Sequence, residues 1–136
     1  MNKFLWPIRV YYEDTDSGGV VYHSTYLNFM ERARTEWLRD MGFEQDELIS
    51  RQNVLFAVRS IAVDYRLPAR FNDSLLVSVE AVEINRASMV LEQSIIKAGH
   101  TLALCTGTVT IASLNVSSFK PCALPVDLRE KIIRGE

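Results

Sequence analysis

The sequence predicts an α+β fold in which an antiparallel sheet of about five strands wraps one long helix. Three observations carry this expectation. Between Thr25 and Met41 the residues Tyr26, Phe29, Met30, Ala33, Trp37 and Met41 recur at helical spacing, and Leu27 and Leu38 widen the stripe to nearly half the circumference. Past Asn53 the helical period gives way to alternation, as where Leu75, Val77 and Val79 interleave with Leu76, Ser78 and Glu80. The links between the alternating segments are short and turn-like, which suits antiparallel neighbours rather than helical crossovers. So broad an apolar face on one helix requires a large concave partner, and a curved sheet is the partner the remaining chain can build.

Residues 3 to 12 mix Phe4, Ile8, Val10 and Tyr12 with polar neighbours and read as a first strand, despite Pro7 near its start. A turn follows, and then the long helix, for which Ser24 or Thr25 can serve as N-cap and Gly42 as the residue just past the end. Phe43 to Ser50 can add a short second helix. Val54 to Arg66, Ser74 to Ile84, Ser88 to Lys97 and Thr101 to Leu114 read as four successive strands, joined by turns that include Asn85-Arg86-Ala87 and Ala98-Gly99-His100. Leu124 to Ile133 can form a terminal helix. No repeat or low-complexity tract interrupts the series, so residues 1-136 read as a single domain.

At 136 residues with 48% apolar content, the chain can bury a core without disulfides or metal. A formal charge of −2, with fifteen Lys and Arg spread along the chain, argues against nucleic acid as a main partner. No segment approaches the roughly 20 apolar residues of a membrane span, and Pro7 and Arg9 break up the start, so the chain reads as cytoplasmic. Peripheral association with a membrane stays open. Cys105 alternates with Ala103, Gly107, Val109 and Ile111 and reads as core; Cys122 suggests no role. His23 and His100 lie far apart with no cysteine near either, so no metal site is expected.

The stretch Tyr12-Glu13-Asp14-Thr15-Asp16-Ser17-Gly18-Gly19-Val20-Val21-Tyr22-His23 concentrates the chemistry. Gly18 and Gly19 lack a Cβ and can adopt positive φ, so backbone can approach a ligand there and a carboxylate can be aimed at it. The free N–H groups of the following helix point into the same space. A carboxylate beside a positive helix end is a working pair for carbonyl chemistry. Spacing cannot choose between Asp14 and Asp16, and both could simply cap backbone N–H groups.

This turn, followed by Tyr26, Phe29, Glu31, Arg32, Ala33 and Arg34, resembles the signature of hotdog-fold acyl-CoA thioesterases. It is most similar to their YbgC type, associated with the bacterial Tol–Pal envelope system, and to the related 4-hydroxybenzoyl-CoA thioesterases. The similarity runs nearly end to end, through Arg66-Leu67-Pro68-Ala69-Arg70 and Lys120-Pro121-Cys122-Ala123-Leu124-Pro125. The resemblance implies a hotdog fold and hydrolysis of an acyl-CoA thioester to free acid and CoA, without a cofactor. It implies that Asp16 is the catalytic carboxylate, as nucleophile or as base for water. It places the thioester carbonyl at the helix N-terminus near the His23 N–H, where losing one donor typically costs about 3 to 4 kcal/mol of transition-state stabilisation. His23 is the second candidate catalytic residue, and Tyr12, Gly19, Val20 and Tyr22 are candidates for substrate binding. An acyl carrier protein is a further candidate carrier, and the resemblance implies a homodimer or homotetramer with the active site between subunits.

Glu31 is expected to pair with Arg34 across one helical turn. Arg59, Arg66 and Arg70 lie where one of them could meet CoA phosphates, though solvated surface arginines are the default. A hotdog dehydratase is disfavoured because the His-Phe-Pro-Gly type segment is absent, and a serine hydrolase because there is no Gly-x-Ser-x-Gly elbow. A non-catalytic acyl-CoA or partner-binding module is the remaining alternative, against which the intact Asp16 speaks.

Overall fold

The structure is a computed structural model and describes residues 3–135. Five strands, β1 (Phe4–Arg9), β2 (Val54–Tyr65), β3 (Ser74–Ile84), β4 (Ser88–Lys97) and β5 (Ala103–Asn115), form one antiparallel sheet in the order β1-β3-β4-β5-β2. Three helices accompany it: α1 (His23–Asp40), α2 (Gln45–Gln52) and α3 (Val126–Arg134). The first strand is shorter than the expected 3 to 12, because the chain leaves the sheet after Arg9 and closes a 3-10 turn over Tyr12–Asp14. Pro7 stands opposite Leu76 on this edge strand, where its missing N–H costs no ladder bond on the open side.

The alternation becomes the core. Leu75, Val77, Val79 and Ala81 of β3, Met89, Leu91 and Ile95 of β4, and Cys105, Val109 and Ile111 of β5 are buried, facing Tyr26, Phe29, Met30, Ala33, Trp37 and Leu38 of α1. Register shifts between Val58 and Ser60, between Ala81 and Glu83, and between Ile95 and Ile96 bend the strands, which lets the sheet curl around the helix. Gly107 completes the fit: a Cβ there would lie 3.2 Å from Met30 Sδ and Cε, so the glycine is what admits the methionine. At the far end of α1, Gly42 takes φ +94° and Lys131 of α3 donates to the Met41 carbonyl at 2.8 Å, a cation at a helix C-terminus.

Two expectations about α1 change. Its N-cap is Tyr22, not Ser24 or Thr25, which lie inside the first turn. The reason is tertiary: the Tyr22 N–H donates to the Asp14 carbonyl at 3.0 Å, which fixes Tyr22 extended and starts the helix earlier than side-chain capping would. Glu31 is also not the hydrogen-bonding partner of Arg34. Arg34 is buried and its Nη1 donates to Gln93 Oε1 at 2.9 Å, while Glu31 Oε1 accepts from the Thr35 hydroxyl.

Candidate active site

The turn between β1 and α1 is held by backbone hydrogen bonds that give its two aspartates different jobs. Asp14 is buried, and its Oδ2 accepts the Tyr11 N–H at 2.9 Å while its carbonyl accepts from Tyr22. It is a structural brace. Asp16 is exposed and sits where the chain doubles back: its N–H donates to the Val20 carbonyl at 2.9 Å, and its carbonyl accepts from Gly19 at 3.1 Å. Its Oδ1 accepts the Gly18 N–H at 2.8 Å, which orients the carboxylate.

Both glycines are required, for different reasons. A Cβ on Gly18 would lie 3.2 Å from Asp16 Oδ1, so a side chain there would push on the carboxylate. Gly19 has open space around it but φ +79°, a left-handed conformation that L side chains rarely adopt. Val20, next in line, bridges to Arg70, and Val21 bridges to Thr15 and donates to the Ala69 carbonyl at 2.9 Å. The turn is therefore stitched to the β2–β3 connection.

In the first turn of α1, Tyr22 donates to Asp14 and Thr25 donates to the Tyr22 carbonyl, so among the described residues the His23 and Ser24 N–H groups are left without a protein acceptor. These are the orphan donors of a helix start, with the positive end of the helix dipole behind them. The His23 ring is exposed and lies against Tyr22, with ring centroids 4.3 Å apart. Hydrogen bonds close Asp16, Gly19 and Val20 into one turn, and Tyr22 and His23 follow it at the helix start, where Tyr22 is tied back to Asp14. Tyr12 stands apart: its ring stacks on Phe71.

Two supporting residues are not legible as such in the sequence. The Tyr65 hydroxyl donates to the His23 carbonyl at 3.0 Å, and the Tyr26 hydroxyl accepts the Ala69 N–H at 2.9 Å. Ala69 is thus held by Tyr26 on one side and Val21 on the other. Burial raises the hydroxyl pKa of both tyrosines, which keeps them neutral and able to fill these roles. Tyr26 reads in sequence as part of the apolar stripe and Tyr65 as the end of a strand. The only hint is that a phenol near a helix start needs a partner for its hydroxyl.

Among the described residues no group of three His, Cys, Asp or Glu side chains is arranged to hold a metal ion. An oriented, exposed carboxylate beside open helix-start amides can attack or hydrate a carbonyl and stabilise the oxyanion that forms.

Comparison with known proteins gives the family. The profile of the thioesterase-like superfamily matches residues 10–132. The acyl-CoA thioesterase YbgC of Haemophilus influenzae is 44% identical over 128 residues, covering 94% of this chain and 93% of that protein. The chain belongs to the YbgC-type thioesterases. The acyl-CoA thioester hydrolase YbgC of Escherichia coli O6:H1 is 46% identical over 122 residues, covering 90% of each. Among solved structures, a probable thioesterase from Bartonella henselae superposes with a TM-score of 0.85 at 35% identity, covering 91% of this chain and all of that one. The YbgC-type thioesterases are hotdog proteins, and the sheet curled around α1 is that fold.

Proposed function

We infer that this enzyme hydrolyses acyl-CoA thioesters to a free acid and CoA, with Asp16 as the catalytic carboxylate. The observation that carries the assignment is the division of labour in the turn: Asp14 is buried in bracing, while Asp16 is exposed and oriented through Gly18. The thioester carbonyl oxygen sits at the start of α1, within reach of the His23 and Ser24 N–H groups. Asp16 Oδ2 either takes a proton from the attacking water or attacks the carbonyl carbon itself. In both routes the C–S bond breaks, the thiolate of CoA leaves and is protonated, and one water is consumed per acid released. Gly19 and Val20 shape the backbone facing the acyl group, Tyr22 and His23 border it, and Tyr12 contacts the carrier. No cofactor takes part. The names of the YbgC relatives support CoA as the carrier, and an acyl carrier protein presents the same thioester on the same pantetheine arm.

In the same reading residues 1-136 form a single domain that works in the cytoplasm as a dimer or tetramer. The open β2 edge supports assembly, since Val58, Ile61 and Tyr65 there are 48%, 38% and 45% exposed. The test of the site is Asp16→Asn. Hydrolysis of a panel of short, long and aromatic acyl-CoAs is expected to fall by about 100-fold or more with the melting temperature unchanged. Wild-type turnover by this variant would remove Asp16 from the mechanism.

A further inference from the structure

Tyr12 and Phe71 stack with ring centroids 3.8 Å apart and planes within 7°, yet they remain 76% and 42% exposed. Folding does little to hide this pair, so burial alone does not explain it. The rings floor a shallow depression of about 440 Å³ whose rim includes Arg9, Tyr11, Glu13 and Asn72. That rim is rigid. Arg9 Nη1 donates to both the carbonyl and Oδ1 of Asn72 at 3.2 Å, Asn72 N–H donates to Val10, and Val10 N–H donates to Asp73. The depression is also tied to the reacting turn: Tyr12 lies on the same 3-10 turn as Asp14, and Phe71 follows Arg70, which bridges to Val20.

A flat aromatic face next to a fixed guanidinium suits a planar base joined to phosphates, the base stacking on the ring and the cation meeting the anion. Resting on the acyl-CoA reading above, we propose that the Tyr12–Phe71 plate is the adenine subsite for coenzyme A. Arg9 faces the phosphates and the Glu13 carboxylate accepts from the exocyclic amino group. The site secures the carrier, while the turn that holds Asp16 acts on the thioester.

The test is calorimetric titration of the full chain with adenosine bisphosphate, the nucleotide half of coenzyme A, in competition with CoA. Wild type is expected to bind it, Phe71→Ala to bind about tenfold more weakly, and Phe71→Trp to bind as wild type does. Should Phe71→Ala lower the melting temperature, Phe71→Leu keeps the apolar bulk and removes only the π face. Unchanged affinity in Phe71→Leu, or no binding by wild type, overturns the subsite. So does a plate whose substitution abolishes binding to anionic vesicles while leaving nucleotide affinity intact. Because the readout needs no turnover, nucleotide binding without hydrolysis would leave the subsite standing and sink only the hydrolase reading.

Discussion

At the residue scale, the turn depends on two glycines that look alike in sequence and act differently in space. Gly18→Ala would set a methyl group 3.2 Å from Asp16 Oδ1, disturbing the carboxylate proposed to react. The expected result is a lower kcat with little change in stability. Gly19→Ala meets no atoms but must hold φ +79°, which costs about 1–2 kcal/mol. Urea unfolding should register that loss, and equal behaviour of the two variants in both assays would refute the distinction. Cys105 supplies a pH prediction at the same scale. Burial raises its thiol from 9.0 to about 11, with a smaller push from the Asp64 carboxylate. The unfolded chain therefore loses this proton first as pH rises, so the contribution to stability is full below about pH 9 and fades towards pH 11. Denaturation across this window should show a steeper decline for wild type than for Cys105→Ala, and parallel curves would contradict the assignment.

At the element scale, α1 is fastened to the sheet by more than apolar contact. Arg34 donates to Gln93 Oε1, and Gln93 Nε2 donates to the Met30 carbonyl at 3.0 Å, so one amide on β4 joins a side chain and the backbone of the helix. Burial pushes the Arg34 guanidinium pKa down, and the nearby Glu31 charge partly offsets this. A buried cation held by a neutral amide makes that amide costly to lose. Gln93→Leu is expected to destabilise the protein by about 2–3 kcal/mol, whereas the double variant Arg34→Met with Gln93→Leu should recover much of the loss. A double-mutant cycle of denaturant midpoints reads the coupling, and additive losses would show that the two residues act independently.

At the scale of the whole molecule, the sheet ends on two unlike edges. β1 is short and carries Pro7, whereas β2 runs for twelve residues, most of them exposed along its second half. A long unpaired edge with exposed Val58 and Ile61 favours pairing with a second copy over remaining open to water. An isologous β2 pair is antiparallel by symmetry. It would set the Tyr65 end of one copy, where His23 is held, beside the Val54 half of the other, bringing the two subunits together at the site. Light scattering at micromolar concentration is expected to give a dimer or larger. Placing Pro within β2, as in Ile61→Pro, should shift the species towards monomer, and a wild-type monomer would refute the pairing.

The long helix, the alternating strands and the short turns were legible because periodicity and turn chemistry are local properties, carried by residues a few positions apart. The same locality made the Asp16 turn conspicuous and, through its motif, placed the chain among hotdog thioesterases. What only the tertiary structure decided depends on contacts between distant segments. The Asp14 carbonyl moved the helix start to Tyr22, and Gln93, fifty-nine positions away, took Arg34 from Glu31. Which aspartate braces and which stays free followed from backbone donors that no spacing rule reveals. Tyr26 and Tyr65 became supports of the site because the β2–β3 connection folds against the start of α1. Sequence determined which elements exist and where reactive groups cluster; hydrogen bonds closed across the chain determined which of those groups are consumed in holding the fold.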